Sequence, residues 1–162
     1  MKTVLFYLLS ILPLLGQFEK ITFTAADDLV ITADLYRAHE SKETPMIVLF
    51  HQAGSSRGEY RDIAPRLVAM GFNCLAVDQR SGGSRNGVSN ETAARVEGNV
   101  TFLDAVPDLQ AAIAKAKADY SSGPLVIWGS SYSSTLVLKL IGEDLELADG
   151  VLSFSPGEYL GG

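Results

Sequence analysis

With 162 residues the chain has the length of one domain, and a hydrophobic share of 47% is enough to bury a core. A formal net charge of −6 leaves no basic stripe to meet phosphates, which excludes a nucleic-acid partner. The single cysteine, Cys74, rules out an intramolecular disulfide. No Cys/His cluster with zinc spacing is present, so no metal and no other cofactor is expected.

The first segment reads as a leader. Lys2 supplies a positive charge, Val4 to Leu15 is nearly all apolar, and Gly16-Gln17 offers a small residue at a cut. This predicts a secretory signal peptide over 1–16 and an exported chain, periplasmic or extracellular, over 17–162. The run falls short of the ~20 apolar residues of a spanning helix, so no stable membrane association is expected after cleavage. Leu14 suits that cut poorly, and an uncleaved anchor or a buried N-terminal helix are the alternatives.

Phe18 to Thr24 alternates apolar and polar residues and predicts an edge strand. After the turn Ala26-Asp27-Asp28, Leu29 to Arg37 alternates again, with Leu29, Ile31, Ala33 and Leu35 on one face, so the two form an antiparallel hairpin. His39 falls in the charged loop that follows. Met46 to Phe50 is a continuous apolar run, as in a parallel strand covered on both faces. It ends in the Gly/Ser-rich loop His51 to Gly58. Ile63, Leu67 and Met70 predict a helix with one apolar face, with Pro65 in its first turn and Gly71 as its stop.

Asn73 to Val77 is a second buried strand, with Cys74 as an inert thiol, and it ends in Asp78-Gln-Arg-Ser-Gly-Gly-Ser84. Residues 84–101 read as a long Gly/Asn/Ser-rich loop able to overhang a pocket, with a short helical turn near Glu91 to Val96. The loop holds the glycosylation sequons Asn90-Glu-Thr92 and Asn99-Val-Thr101. Asp104 is the expected cap of a helix running to about Ala118, with Pro107 in its first turn and Leu109, Ile113 and Ala116 facing inward. Leu125 to Trp128 predicts a third buried strand. A helix carrying Leu136, Leu140 and Ile141 and ending at Gly142 follows, then a last strand, Gly150 to Phe154.

After the opening hairpin, strands and helices alternate. Right-handed crossovers then give an α/β fold, a parallel sheet with helices on both faces. Ligands of such sheets bind beyond the carboxyl ends of the strands. The loops at 51–58, 78–84, 129–133 and 155–159 each follow a strand, so all four gather on that edge.

One of them carries chemistry. Gly129-Ser130-Ser131-Tyr132-Ser133 fits G-x-S-x-G except for its last residue, and it stands between a strand and a helix. A serine in such a corner is a nucleophile elbow. The free N–H groups and positive dipole end of the following helix point to where an oxyanion would form. The loop lacks the glycine spacing of a nucleotide-binding turn.

The antiparallel start, the strand ending in His51-Gln-Ala-Gly54, the strand ending in Asp78-Gln-Arg-Ser-Gly-Gly83 and the Ser131 corner together resemble the α/β-hydrolase fold. They are most similar to its dienelactone-hydrolase and acyl-peptidase-like branches. The resemblance covers residues 18 to 162. It implies a three-layer αβα sandwich with a mostly parallel sheet and an antiparallel N-terminal hairpin. It further implies a serine hydrolase acting on an ester, thioester or amide carbonyl of a small-molecule or peptide substrate. Ser131 would be the nucleophile, and the backbone N–H groups of Ala53 and Tyr132 would be the oxyanion donors, each stabilising the intermediate by about 3 kcal/mol. His51 would hold its loop, and Asp78 and Arg80 would bond and pair within theirs.

Two departures stand out. Ser133 replaces a glycine in a tight place. More seriously, the family's order is Ser, then acid, then His, and no histidine follows Ser131. A serine without a base is a poor nucleophile. Glu158 stands where a minority of such enzymes place the acid, and a loop carboxylate at the site mouth is the plainer reading. The family continues with further strands and helices that carry the acid and the base. The chain is therefore expected to be the N-terminal, C-terminally truncated portion of a longer hydrolase, nearly inactive alone, with an uncovered sheet edge. A non-catalytic binding or interaction module on the same fold is the alternative.

Overall fold

The computed structural model describes residues 17–159, and the leader read in residues 1–16 lies outside the described residues. The elements follow in order as β1 (Phe18–Thr24), β2 (Val30–Tyr36), β3 (Met46–Phe50), α1 (Ala64–Ala69) and β4 (Asn73–Val77). A small ribbon of β5 (Ser84–Arg85) and β6 (Val88–Ser89) comes next, then α2 (Val106–Lys115), β7 (Leu125–Ser130), α3 (Tyr132–Glu143) and β8 (Gly150–Phe154). Short 3-10 turns stand at Arg57–Tyr60, Ala93–Arg95 and Leu103–Ala105.

Six strands form one sheet in the order β1-β2-β4-β3-β7-β8. β1 and β2 pair antiparallel, β2 runs antiparallel to β4, and the remaining four strands are mutually parallel. Helices α2 and α3 cover one face over Val48, Phe50, Leu75, Val77 and Ile127. Helix α1 covers the other, with Ala64 buried and Leu67 and Val68 packed against Ile47, Leu49 and Ala76. Every residue of β3 and β4 is buried, which is why Met46–Phe50 and Cys74–Val77 read as unbroken apolar runs. Cys74 is buried in β4, and burial pushes its thiol up to about 12, so it is inert.

The expected elements are present, with four local differences. Met70 is 71% exposed rather than on the inner face of α1, because the helix is only six residues long and Met70 already caps it. Asp104 does not cap α2. It lies in the preceding 3-10 turn, where its carboxylate accepts the N–H and hydroxyl of Thr101 at 2.6 and 2.8 Å. Gly142 is the penultimate residue of α3, not its stop. Residues 84–95 are not a free loop. Asn86 and Gly87 take positive φ (50° and 73°) to turn the β5–β6 ribbon, whose Val88 packs against Gly58. The hydroxyl of Thr92, fully buried, accepts the Thr32 N–H of β2.

β8 is an edge strand, and Leu152 and Phe154 on it are 39% and 45% exposed. Phe154 stacks on Trp128 at 4.4 Å between ring centres. An apolar edge invites pairing with another chain. The isolated 162-residue polypeptide is expected to associate with rising concentration in sedimentation velocity, and Phe154→Glu to suppress it. A monomer throughout the range would show that the edge is not sticky.

Candidate active site

The register of the sheet builds the site. Phe50 lies opposite Val77 of β4 on one side and Gly129 of β7 on the other. The loops starting at His51, Asp78 and Ser131 therefore leave the sheet side by side at the carboxyl edge of the parallel strands. Phe154 lies opposite Ser130, which brings the tail through Tyr159 to the same edge.

The turn at Ser131 is tight and strained. Ser131 holds φ 55° and ψ −120°, a conformation costly for any residue with a Cβ. Its N–H donates to the Phe154 carbonyl at 2.9 Å, and its carbonyl accepts from the Ser134 N–H and hydroxyl. Gly129 has ordinary φ and is needed for room: a Cβ there would collide with the Ser133 carbonyl and Ser134 Cα. The backbone thus folds back on itself, and α3 begins at once. Although Ser131 precedes the helix, its hydroxyl makes no cap bond. It donates instead to the Tyr159 hydroxyl at 3.1 Å, in a half-buried position. Phe102 stacks on the Tyr132 ring at 4.5 Å and meets Tyr159 edge-on at 5.9 Å, giving the serine an aromatic wall on one side.

Among the described residues, no acceptor takes the backbone N–H of Tyr132 or of Ala53. Ala53 follows Phe50 of β3, and Tyr132 opens α3 just past Gly129, the β7 residue paired with Phe50. Gly54 follows at φ 68° and turns the Ala53 loop.

Neither histidine serves as a base for Ser131. His51 is fully buried, and both ring nitrogens are engaged. Nδ1–H donates to the Gln52 carbonyl at 2.8 Å, while Nε2 faces the Gln79 N–H at 3.2 Å and the Asn90 amide at 3.1 Å. Burial holds its pKa below the ordinary value, so the ring is neutral. His39 follows β2, whose end Tyr36 pairs with Cys74 at the start of β4. That is the opposite edge of the sheet, about 15 Å away at ~3.3 Å per residue. Two clefts, of about 310 and 240 Å³, lie at that far edge around Leu35 and Arg37 and include no part of the Ser131 corner.

Several residues that hold the edge together carry no motif. Ser133, fully buried, is bonded rather than merely tolerated: its hydroxyl donates to the His51 carbonyl at 2.6 Å and accepts from the Gln79 side-chain amide at 2.5 Å. Asp78 and Arg80 do not pair within their own loop. Asp78 binds the Arg57 guanidinium at 2.5 Å and accepts the Arg57 and Glu91 N–H groups. Arg80 binds buried Asp108 of α2 and Asp27 of the first turn. Asn90 is 4% exposed and donates to the Gln79 carbonyl, so its sequon is closed to a glycan in the folded chain, whereas Asn99 is exposed. Glu158 is exposed and makes no hydrogen bond among the described residues. No group of His, Cys, Asp or Glu with metal-binding geometry occurs among them either. No helix of the described residues is long and apolar enough to cross a membrane.

The profile of the serine aminopeptidase S33 family matches residues 41–159. A quorum-quenching protein, AidA, of Acinetobacter baumannii is 33% identical over 147 residues, spanning 89% of this chain and 44% of that protein. An esterase of Pyrococcus furiosus superposes with a TM-score of 0.68 at 23% identity, over 90% of this chain and 51% of its own. A thermostable carboxyl esterase of Bacillus coagulans gives 0.67 at 16% identity, over 83% and 43%. The chain thus spans about half the length of the proteins it matches.

Proposed function

The chain belongs to the serine aminopeptidase S33 family of α/β-hydrolases, and from that premise we propose that it carries the nucleophile half of a serine hydrolase acting on an ester, thioester or amide carbonyl. The strained Ser131 corner carries this reading, since backbone strain held between a strand and a helix serves presentation of a side chain better than it serves stability. Ser131 Oγ bonds to the carbonyl carbon while its proton passes to a base. The carbonyl oxygen becomes an oxyanion held by the N–H groups of Ala53 and Tyr132. Collapse expels the protonated leaving group, and water then cleaves the acyl-enzyme.

Because His51 and His39 are both unsuited, the base and its acid partner are proposed to come from sequence beyond these residues, as the greater length of the relatives favours. The names of the relatives favour ester bonds and a signalling molecule as the first substrates to try. Residues 1–16 are proposed to direct export.

The buried state of His51 favours a second reading, a binding module that keeps the fold without turnover. A fluorophosphonate probe decides between them on the protein expressed from its whole reading frame. The hydrolase reading expects a phosphonyl adduct mapped by mass spectrometry to Ser131. Folded protein that takes up no probe supports the binding module.

A further inference from the structure

Gln79 lies between the two residues of the β4 loop that make ion pairs, and it is fully buried. Its oxygen accepts the His51 N–H at 3.0 Å, and its own N–H donates to the His51 ring. Its side-chain amide reaches across the end of β3 to α3, donating to Ser133 Oγ at 2.5 Å and to the Tyr132 hydroxyl at 3.0 Å. Ser133 returns a bond to the His51 carbonyl, and Tyr132 donates onward to Ser81. One side chain from the loop after β4 therefore ties the loop of Ala53 to the first turn of the helix of Tyr132. These segments carry Ala53 and Tyr132, whose backbone N–H groups no acceptor takes among the described residues.

We infer that Gln79 is a positioning residue that fixes the separation of the Ala53 and Tyr132 N–H groups, and so the geometry in which an oxyanion is held. The inference rests on Ser131 being the nucleophile. A buried amide suits this task because it presents an acceptor to one loop and two donors to the other at once. An oxyanion hole acts only when its donors are already placed, and a displacement of about 1 Å costs about 100-fold in rate.

The test uses the protein of the whole reading frame, probed with a fluorophosphonate and a p-nitrophenyl ester. Gln79→Leu should lower kcat and the rate of Ser131 labelling about 100-fold with KM changed less than about threefold, because the groups that meet the ground-state substrate are untouched. Ser133→Ala, which removes one tie, should shift both in the same direction by less. Gln79→Glu keeps the acceptor but loses the donors while ionised, so its labelling rate relative to the unsubstituted protein should recover as pH falls and the carboxyl regains a proton. If Gln79→Leu fails to fold, Ser133→Ala and Gln79→Glu carry the test. Folded variants that label at the unsubstituted rate overturn the inference, as does a loss in Gln79→Glu with no recovery at low pH. An unsubstituted protein that is not labelled at Ser131 removes the nucleophile reading itself, which is a separate outcome.

Discussion

In the protein expressed from its whole reading frame, replacing Ser131 by alanine is expected to lower kcat/KM on an activated ester by about four orders of magnitude or more, leaving only what oriented donors give to attack by water. Glycine at the same position should abolish turnover equally. The two variants should differ in stability. At φ 55° and ψ −120° alanine keeps the Cβ that makes this backbone costly, by ~1–3 kcal/mol, whereas glycine relieves it. Glycine also adds roughly 0.4–1 kcal/mol of unfolded-chain entropy. The net expectation is a Ser131→Gly protein about 1 kcal/mol more stable than Ser131→Ala in denaturant unfolding. A glycine variant weaker than the alanine one would mean that the corner is relaxed, and the main support for a nucleophile would go with it.

The strain itself has no trace in residue type, since serine is not a residue that favours positive φ. What could be read was its setting: the apolar run Leu125 to Trp128, a glycine, and a helical pattern beginning directly afterwards. The strands were legible for the same reason. Met46–Phe50 and Cys74–Val77 are buried on both faces and are apolar throughout, and Phe18–Thr24 lies at an edge, with Ile21 and Phe23 half-buried between exposed Lys20, Thr22 and Thr24. Phe50, Val77 and Gly129 lie on one line near the ends of their strands, so the gathering of loops followed from topology alone.

The polar residues that fix those loops were not legible. Gln79 and Arg57 sit in segments whose composition reads as solvated, and only the sheet register puts them across from His51, Ser133, Asp34 and Asp78. Thr32, Asp34 and Tyr36 occupy the polar side of an alternating strand, yet all three are buried, because Thr92 and Arg95 cover Thr32, Arg57 covers Asp34, and Tyr60, Ala64 and Phe18 pack around Tyr36. Asp108 left one readable sign. It lies four residues before Ala112 and eight before Ala116, on the inner row of α2, where a carboxylate needs a buried partner such as Arg80.

Arg57 is where the fold is most exposed to a single change. It is 5% exposed, and its guanidinium meets Asp34 at 2.9 Å, Asp78 at 2.5 Å and Glu91 at 2.7 Å. Burial opposes its charge, but Asp78 and Asp34 more than compensate and hold its proton more firmly than usual. Arg57→Met keeps much of the volume and leaves two buried carboxylates without their cation, which should cost about 3–5 kcal/mol in unfolding free energy. Asp34 makes the loss depend on pH. Burial already raises its pKa above the ordinary value, with Arg57 pulling the other way. Without Arg57 the folded state holds the Asp34 proton to higher pH than the unfolded chain does. The folded variant then binds more protons than its unfolded form, so its stability falls as pH rises through the raised pKa and is partly restored below the ordinary carboxylate range. Adding Asp34→Asn should recover about 2 kcal/mol near neutrality, because among the described residues that carboxylate has Arg57 as its only side-chain hydrogen-bond partner. A flat difference between Arg57→Met and the unsubstituted protein across the acid range, with no recovery in the double variant, would show that Arg57 acts through packing and not through its charge.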